Sequence, residues 1–531
     1  MKKVVAILGI LLVTTALTNA INITNDGKER AVYMDGIKIV PINKVITTNM
    51  EGNIKVSTSE DDDIMPTITK DPNGRILVTY ATRHSFFDQD VTVVYSADGS
   101  TWTAATQFMS DEGILQYPSI IGIPEAGDVG LSFIDPLSEY PLWVLRSTDV
   151  TNPDTYIGLR VAWGDTEDYN EVAVGIVHYL LLTLFTNHNY YMWDIPGCPY
   201  LVYWTQELEQ PPDIGGQYFD GQSILKTAPA SNLNIATGQD YFYLLMEHFN
   251  ETTGHSEIAF KKSVTDLDLL FTPGGGPGGM DKYADIEAMP WQMYLVKGDF
   301  DAKDPYAAAS GSNVVVVYMS NDNVYGDWDI KCVYSHDGGE TWETSEIATE
   351  HPVDEVYPAA FMSGNNVYCV YVKNGNLYLA KSEDGGETWS EPEQINEVDG
   401  TVVAEPRAID ISDGGIVWVD TRNGNSDIYY VPLPAPIITI GISGGFGVKA
   451  TISNEGTEAA ENLAWSVDLS GLVFIGKHAE GTIDTLNPGD SVTVGPGLVF
   501  GIGPTTITVN AGGVTKTAKG FVLGPLVLGV S

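Results

Sequence analysis

From about residue 58 to residue 433 the chain repeats one rhythm of short apolar strands separated by polar turns. Most units open with a polar or aromatic lead and a proline: Met65-Pro66, Tyr117-Pro118, Asp304-Pro305, Tyr357-Pro358 and Glu405-Pro406. A nearly continuous apolar run follows, as in Ile76–Tyr80, Val314–Tyr318 and Val367–Tyr371. A third run alternates, as in Val91–Tyr95, Ile330–Tyr334 and Leu377–Ala380. The prolines are 52 residues apart from Pro66 to Pro118, 53 from Pro305 to Pro358 and 48 from Pro358 to Pro406. Between Pro118 and Pro305 the rhythm blurs. Two more units fit there, one with Leu180–Phe185 and Tyr200–Trp204, the other with Tyr241–Leu245 and Glu257–Phe260. Alternation bounded by Gly, Asn, Asp and Pro predicts antiparallel meanders. One such meander cannot cover both of its faces. Closing several into a ring does, and leaves few open edges. The expected fold is therefore all-β, a β-propeller of seven blades, or of six if the blurred region is one elaborated blade.

Three turns after third strands share a motif. Ser335-His336-Asp337-Gly338-Gly339-Glu340-Thr341-Trp342 and Ser382-Glu383-Asp384-Gly385-Gly386-Glu387-Thr388-Trp389 match it in full. Ser96-Ala97-Asp98-Gly99-Ser100-Thr101-Trp102 is one residue shorter, and Ser147-Thr148-Asp149 looks like a degenerate copy. Ser and Asp side chains can accept from neighbouring backbone N–H groups, and Gly takes the positive-φ position. These turns resemble the Asp-box (BNR) repeats of sialidase-like propellers, over about residues 58 to 433. The resemblance implies the fold. It places Ser96, Asp98, Trp102, Ser335, Asp337, Gly339, Trp342, Ser382, Asp384, Gly386 and Trp389 on peripheral turns, away from the ligand face.

The ends of the chain read differently. Lys2 and Lys3, the apolar run Val4–Val13 and the small residues up to Ala20 form a secretory leader, residues 1–20. An extracellular or cell-surface location follows. Past Val431 the chain runs Pro432-Leu433-Pro434-Ala435-Pro436, which cannot readily continue a sheet. The last unit therefore lacks an outer strand, and the N-terminal segment 21–57 is expected to supply it from Ala31 to Ser57. Residues 437–531 turn to short strands rich in Gly, Val, Thr and Ile, such as Phe446–Ile452, Ala464–Leu469 and Thr505–Asn510. An immunoglobulin-like β-sandwich fits them. The run Val448–Gly456 resembles adhesion-type modules of prokaryotic surface proteins, which implies a spacer or docking element.

Charge narrows the partners. In 531 residues, 27 Lys and Arg face 70 Asp and Glu, a net charge of −43. This is the reverse of a nucleic-acid footprint, and no run after the leader is long enough to span a bilayer. The expected partner is a glycan or an extracellular protein. Three cysteines, Cys198, Cys332 and Cys369, form no disulfide framework, and the last two are expected as buried thiols.

In a propeller, the loops entering first strands and those joining second to third strands share one face. The ligand-binding candidates there are Arg83, His84, Asp135, Trp193, Asp194, Trp328, Glu405, Arg407, Asp420 and Arg422. Carboxylates interleaved with aromatics suit sugars, and equally suit a protein partner. Arg422 is also expected to pair with Asp420 or Asp427. No cofactor is required, but the loop carrying Asp322, Asp327 and Asp329 is rich in oxygen donors suited to structural Ca²⁺. The sialidase resemblance implies three arginines, a Tyr–Glu pair and an Asp acid. Its first arginine precedes the first proline, where this chain has Ile64 in Asp63-Ile64-Met65-Pro66. No catalytic residue transfers. Three functions stay open: a recognition protein, a sialidase-superfamily glycoside hydrolase, and a surface protein whose propeller displays the sandwich.

Overall fold

A computed structural model describes residues 32–34, 36–46, 52–111, 113–137, 141–161, 171–178, 180–189, 195–204, 216–219, 230–265, 294–434, 436, 438–456 and 458–530. The expected leader at residues 1–20, Trp193, Asp194 and the glycine-rich run 274–279 lie outside the described residues. The chain divides into two compact units, Met1–Pro432 and Leu433–Ser531.

The first unit is a succession of small antiparallel sheets, seven among the described residues. Their first strands are Asp62–Lys70, Gln116–Ile123, Val172–Val177, Ala230–Thr237, Ala302–Ser310, Glu355–Ser363 and Ile409–Ser412. Each first strand contacts that of the next sheet, and Ile409–Ser412 contacts Asp62–Lys70, so the inner strands form a closed cycle. The arrangement is propeller-like.

The cycle is held by period-two alternation. In the fifth sheet, Val314 and Val316 pack with Tyr243 and Phe260 of the fourth. Val315 and Val317 point the other way, onto Val367, Cys369 and Tyr371 of the sixth. Their near-continuous apolar run is explained by burial on both faces. All four valines are fully buried, each contributing about 1.5–3 kcal/mol. Leu77 and Val93 of the first sheet likewise pack with the second, while Val78 and Val94 pack with Val417 and Ile428 of the seventh. Cys332 and Cys369 are buried free thiols in this packing, and burial pushes Cys332 up to about 12.

The N-terminal segment divides its pairing. Ile54 and Lys55 lie beside Tyr430 and Tyr429 as the outer strand of the seventh sheet. Ile37–Ile46 instead pairs with Trp102–Ser110 and extends the first sheet, with Val32–Met34 beyond it. The physical reason is apolar cover: Ile37 and Ile39 are fully buried against the first two sheets, which leaves only the short stretch from Ile54 to Ser57 for the seventh.

The repeated Ser-x-Asp turns close onto themselves. The Ser335 hydroxyl accepts from Gly339 N–H at 2.8 Å, and Asp337 accepts from Glu340 and Thr341 N–H at 3.0 and 2.9 Å. Ser382 and Asp384 repeat the pattern with Gly386 and Thr388. Ser96 and Asp98 do so with Gly99 and Thr101, and the N–H donors of Thr101 and Ser100 pull the Asp98 carboxyl down to about 2. Gly339 has φ +79° and Gly386 +102°, which a side chain would strain. Each tryptophan reaches the preceding sheet. Trp102 meets Tyr430 edge-on at 4.9 Å, Trp342 meets Phe260 at 5.2 Å, and Trp389 Nε1 donates to Ser345 Oγ at 3.1 Å. The motif is thus a turn and an inter-sheet bracket at once.

In the second unit, a three-stranded sheet (Ile438–Ser443, Lys449–Asn454, Ser491–Val494) shares one core with a larger sheet built on Ala460–Leu469, Phe500–Ala511 and Val514–Gly524. Ile440, Ala450 and Ile452 of the first meet Val467, Ile507 and Val509 of the second. Asn454 fixes the turn after strand Lys449–Asn454: its Oδ1 accepts Gly456 N–H, and its Nδ2 donates to Leu486 O at 2.8 Å.

Trp102 is fully buried between the first and seventh sheets. Trp102→Ala should lower unfolding free energy by about 3–5 kcal/mol in a denaturant titration. A loss under about 1 kcal/mol would show that the bracket carries no weight.

Candidate functional site at the sheet axis

Five first strands carry a bulge, at Ile64/Thr67, Gln116/Ser119, Ser231/Asn234, Lys303/Tyr306 and Val356/Ala359. Within each sits a non-glycine residue of positive φ: Met65 (53°), Tyr117 (52°), Asn232 (51°), Asp304 (48°) and Tyr357 (55°). Arg407 (61°) stands just ahead of the seventh first strand. Such backbone costs roughly 1–3 kcal/mol per residue and persists where the surroundings enforce it. A bulge re-aims a side chain out of the ladder. Here the result is a cavity of about 360 Å³ at the axis, lined by Asn232, Asp304, Tyr357 and Arg407 together with Glu171, Tyr306 and Asp410.

The lining is acidic and aromatic. Burial, reinforced by the charges of Glu247 and Glu171, pushes the Asp304 carboxyl up to about 8. Glu247 is fixed beside it, accepting from Asn232 Nδ2 at 2.7 Å, Ser256 Oγ at 2.9 Å and Asp304 N–H at 3.3 Å. Burial also raises Glu171, against the pull of Arg407, and Glu171 accepts Leu233 N–H at 3.0 Å. Arg407 Nη1 donates to Val172 O at 2.8 Å, and its guanidinium lies over the Tyr117 ring at 5.6 Å. Tyr306 Oη donates to Asp410 Oδ1 at 2.6 Å, and Ile68 N–H donates to Oδ2 at 2.8 Å. Burial pushes Asp410 up to about 6. At neutral pH the site offers a protonated carboxyl, carboxylate acceptors, phenol rings and a guanidinium.

Of the sequence candidates, Arg407 belongs to this cavity. Glu405 is exposed just before it, its carbonyl accepting Ala408 N–H. Arg422 is spent on Asp420: Nη2 and Nε bond the two carboxylate oxygens at 2.6 and 2.9 Å, and the guanidinium stacks 3.9 Å from the Tyr429 centroid. Asp420, fully buried, also accepts from Trp418 Nε1. Asp135 is buried and accepts from Ser110 Oγ at 2.6 Å. Arg83 is exposed, and His84 bridges Asp61 and Asp90 at 2.6 and 3.0 Å. Trp328 is half-buried, with Lys303 Nζ over its ring at 5.6 Å. Sequence reasoning did not single out Glu171, Asp304, Tyr306, Tyr357 or Asp410 as site residues. The signal for two of them was the varied residue ahead of each repeated proline, which is the bulge position.

A second cluster lies between the fifth and sixth sheets. Asp327, Asp329 and His351 present ligand atoms within 4.8 Å of one another and could coordinate a metal ion such as Ca²⁺. Asp322, grouped with the two aspartates from sequence, is not in this cluster. It is exposed, with its carbonyl accepting from Lys331 Nζ and its carboxylate 3.8 Å from the same ammonium. His351, twenty-two residues beyond Asp329, takes its place.

No family model and no curated protein matches the chain. Among solved structures it is similar to a protein of unknown function from Dyadobacter fermentans DSM 18053, at 13% identity over 75% of this chain and 98% of that one, TM-score 0.41. It is also similar to Pyrococcus horikoshii acylaminoacyl peptidase, at 10% identity, 75% and 59% coverage and TM-score 0.39. The polysaccharide lyase Uly1 gives 10% identity, 71% and 91% coverage and TM-score 0.43. The chain spans about three-fifths of the peptidase it matches.

Asp304 supplies a test. Its folded-state value of about 8 lies above the ordinary 3.8, so between those values the folded state holds a proton that the unfolded state has lost. Stability from this group falls as pH rises across that window. Asp304→Asn should match the wild-type melting temperature near pH 4 and exceed it progressively up to pH 8. Parallel melting curves for the two proteins across that range would mean that Asp304 titrates normally.

Proposed function

We propose that the first unit is a seven-bladed Asp-box propeller, that the second is an immunoglobulin-like sandwich serving as a spacer, and that the exported chain recognises glycans at the axial cavity. The observation that carries this is the composition of the lining. Tyr306 and Tyr357 offer aromatic surface, Asp304, Glu171 and Asp410 offer hydrogen-bonding carboxyls, and Arg407 is the one guanidinium lining it among the described residues. Aromatic faces suit the C–H faces of a sugar ring, and carboxylates accept from its hydroxyls. An acidic sugar would call for a bidentate arginine clamp. Here Arg407 is already engaged by Val172 O, and Arg422 by Asp420. The lining therefore favours an uncharged glycan over a sialic acid.

One observation favours a second reading, a glycoside hydrolase of the sialidase superfamily acting on neutral glycans. Asp304 is held protonated near neutral pH beside Glu247 and Glu171, the pairing of acid and carboxylate that glycoside hydrolysis uses.

A neutral-glycan array and a chromogenic glycoside panel on the mature protein separate the two. Recognition predicts saturable binding without turnover, weakened at least tenfold by Tyr357→Ala. Turnover abolished by Asp304→Asn would replace it with the hydrolase. Silence in both assays would remove the axial cavity as a glycan site.

A further inference from the structure

We infer that Asp327, Asp329 and His351 form a site for a borderline divalent transition ion, of which Zn²⁺ is the type, in preference to calcium. The donors come from two loops. Asp327 and Asp329 end the connection into strand Asp329–Ser335, and His351 precedes strand Glu355–Ser363. His351 Nδ1 stands 3.1 Å from both carboxylate oxygens of Asp327 and 3.6 Å from Asp329 Oδ1. Asp329 is 2% exposed. Its Oδ2 accepts from Asn323 Nδ2 at 3.0 Å, while its Oδ1, the atom facing His351, has no hydrogen-bond partner. A buried carboxylate oxygen left without a donor is costly unless a cation meets it.

The cluster is built in place. Asn323 Nδ2 also donates to Asp327 O at 2.8 Å, clamping the two aspartates together. The Tyr325 ring stacks on the His351 imidazole at 4.4 Å and 27°, fixing its plane. Both features act on ligand orientation, as the outer shell of a metal site does.

The donor chemistry selects the ion. Calcium takes six to eight oxygens. The further side-chain oxygens of this loop are committed elsewhere: Asn323 Oδ1 accepts Tyr325 and Gly326 N–H at 2.8 and 2.7 Å, and the Asp322 carboxylate faces Lys331. One imidazole nitrogen and two carboxylates form a three-ligand set of the kind that holds Zn²⁺ with a coordination position left for water. This inference is independent of the glycan reading.

Isothermal titration of the chelator-treated full chain with ZnCl₂ and with CaCl₂ tests it. The expected result is one saturable Zn²⁺ site and at least tenfold weaker Ca²⁺. Asp329→Asn and His351→Gln, each verified as folded by circular dichroism, should each weaken Zn²⁺ at least tenfold. His84→Gln, at an exposed histidine between Asp61 and Asp90, should leave it unchanged. Cobalt substitution gives a second readout, a visible d–d band in the wild type that both site variants lose. No saturable Zn²⁺ binding, equal binding in wild type and both variants, or calcium as tight as zinc would each overturn the assignment.

Discussion

The inner edge of every sheet poses one problem: half of its backbone N–H groups face the axis with no further strand to accept them. An uncapped edge is a liability for any sheet. At five of the seven joins a side-chain oxygen from the preceding sheet accepts one or two of them. Thr67 and Thr69 of the first sheet take Ile120 and Gly122 N–H of the second, and Ser119 of the second takes Val174 N–H of the third. Glu171 then takes Leu233, Asn234 takes Ala307, and Asp410 of the seventh sheet takes Ile68 of the first. At these joins the inner strands are stitched by side chain to backbone, where a continuous sheet would use backbone to backbone. The acceptors must be short and polar and must point along the edge. That requirement places titratable groups such as Glu171 and Asp410 at the axis before any ligand is considered.

The two layers of the ring divide the work. Outward from the axis, apolar alternation and the turn tryptophans Trp102, Trp342 and Trp389 bind sheet to sheet, and little there can change without loss of packing. At the axis, the strained positions Asn232, Asp304, Tyr357 and Arg407 are held by that rigid surround and differ from sheet to sheet. Repetition of the frame with variation at one bulge position makes a chemically mixed cavity from near-identical parts. Asp304 shows the consequence most clearly, since its raised affinity for a proton comes from burial and from carboxylates contributed by neighbouring sheets.

Much of the frame was legible in the sequence because it rests on local rules. Near-continuous apolar runs marked Val314–Tyr318 and Val367–Tyr371 as strands, alternation marked Ile330–Tyr334, and Ser-x-Asp-x-Gly marked turns whose hydrogen bonds are local. The division of the N-terminal segment was not legible. The stretch from Ala31 to Ser57 read as a supply for the last unit alone, and only the packing against Phe108 and Tyr430 sends Ile37–Ile46 and Ile54–Lys55 to different sheets. The site was legible in part. Arg407 could be named from its place beside a repeated proline, while Asp304 was seen only as the lead to Pro305. The pairing of Arg422 with Asp420 follows from spacing in one turn. The meeting of His351 with Asp327 does not, because it joins two sheets across a loop that carries no motif.

Amide-resolved hydrogen exchange at the inner edge tests the ring most directly. Ile68, Ile120, Gly122, Val174 and Ala307 have no backbone partner within their own sheets on that side, so their protection must come from the neighbouring sheet. The ring predicts that they exchange as slowly as the ladder amides of Val315 and Val317. Exchange at unprotected rates, with those ladder amides still slow, would mean that intact sheets are not joined at the axis.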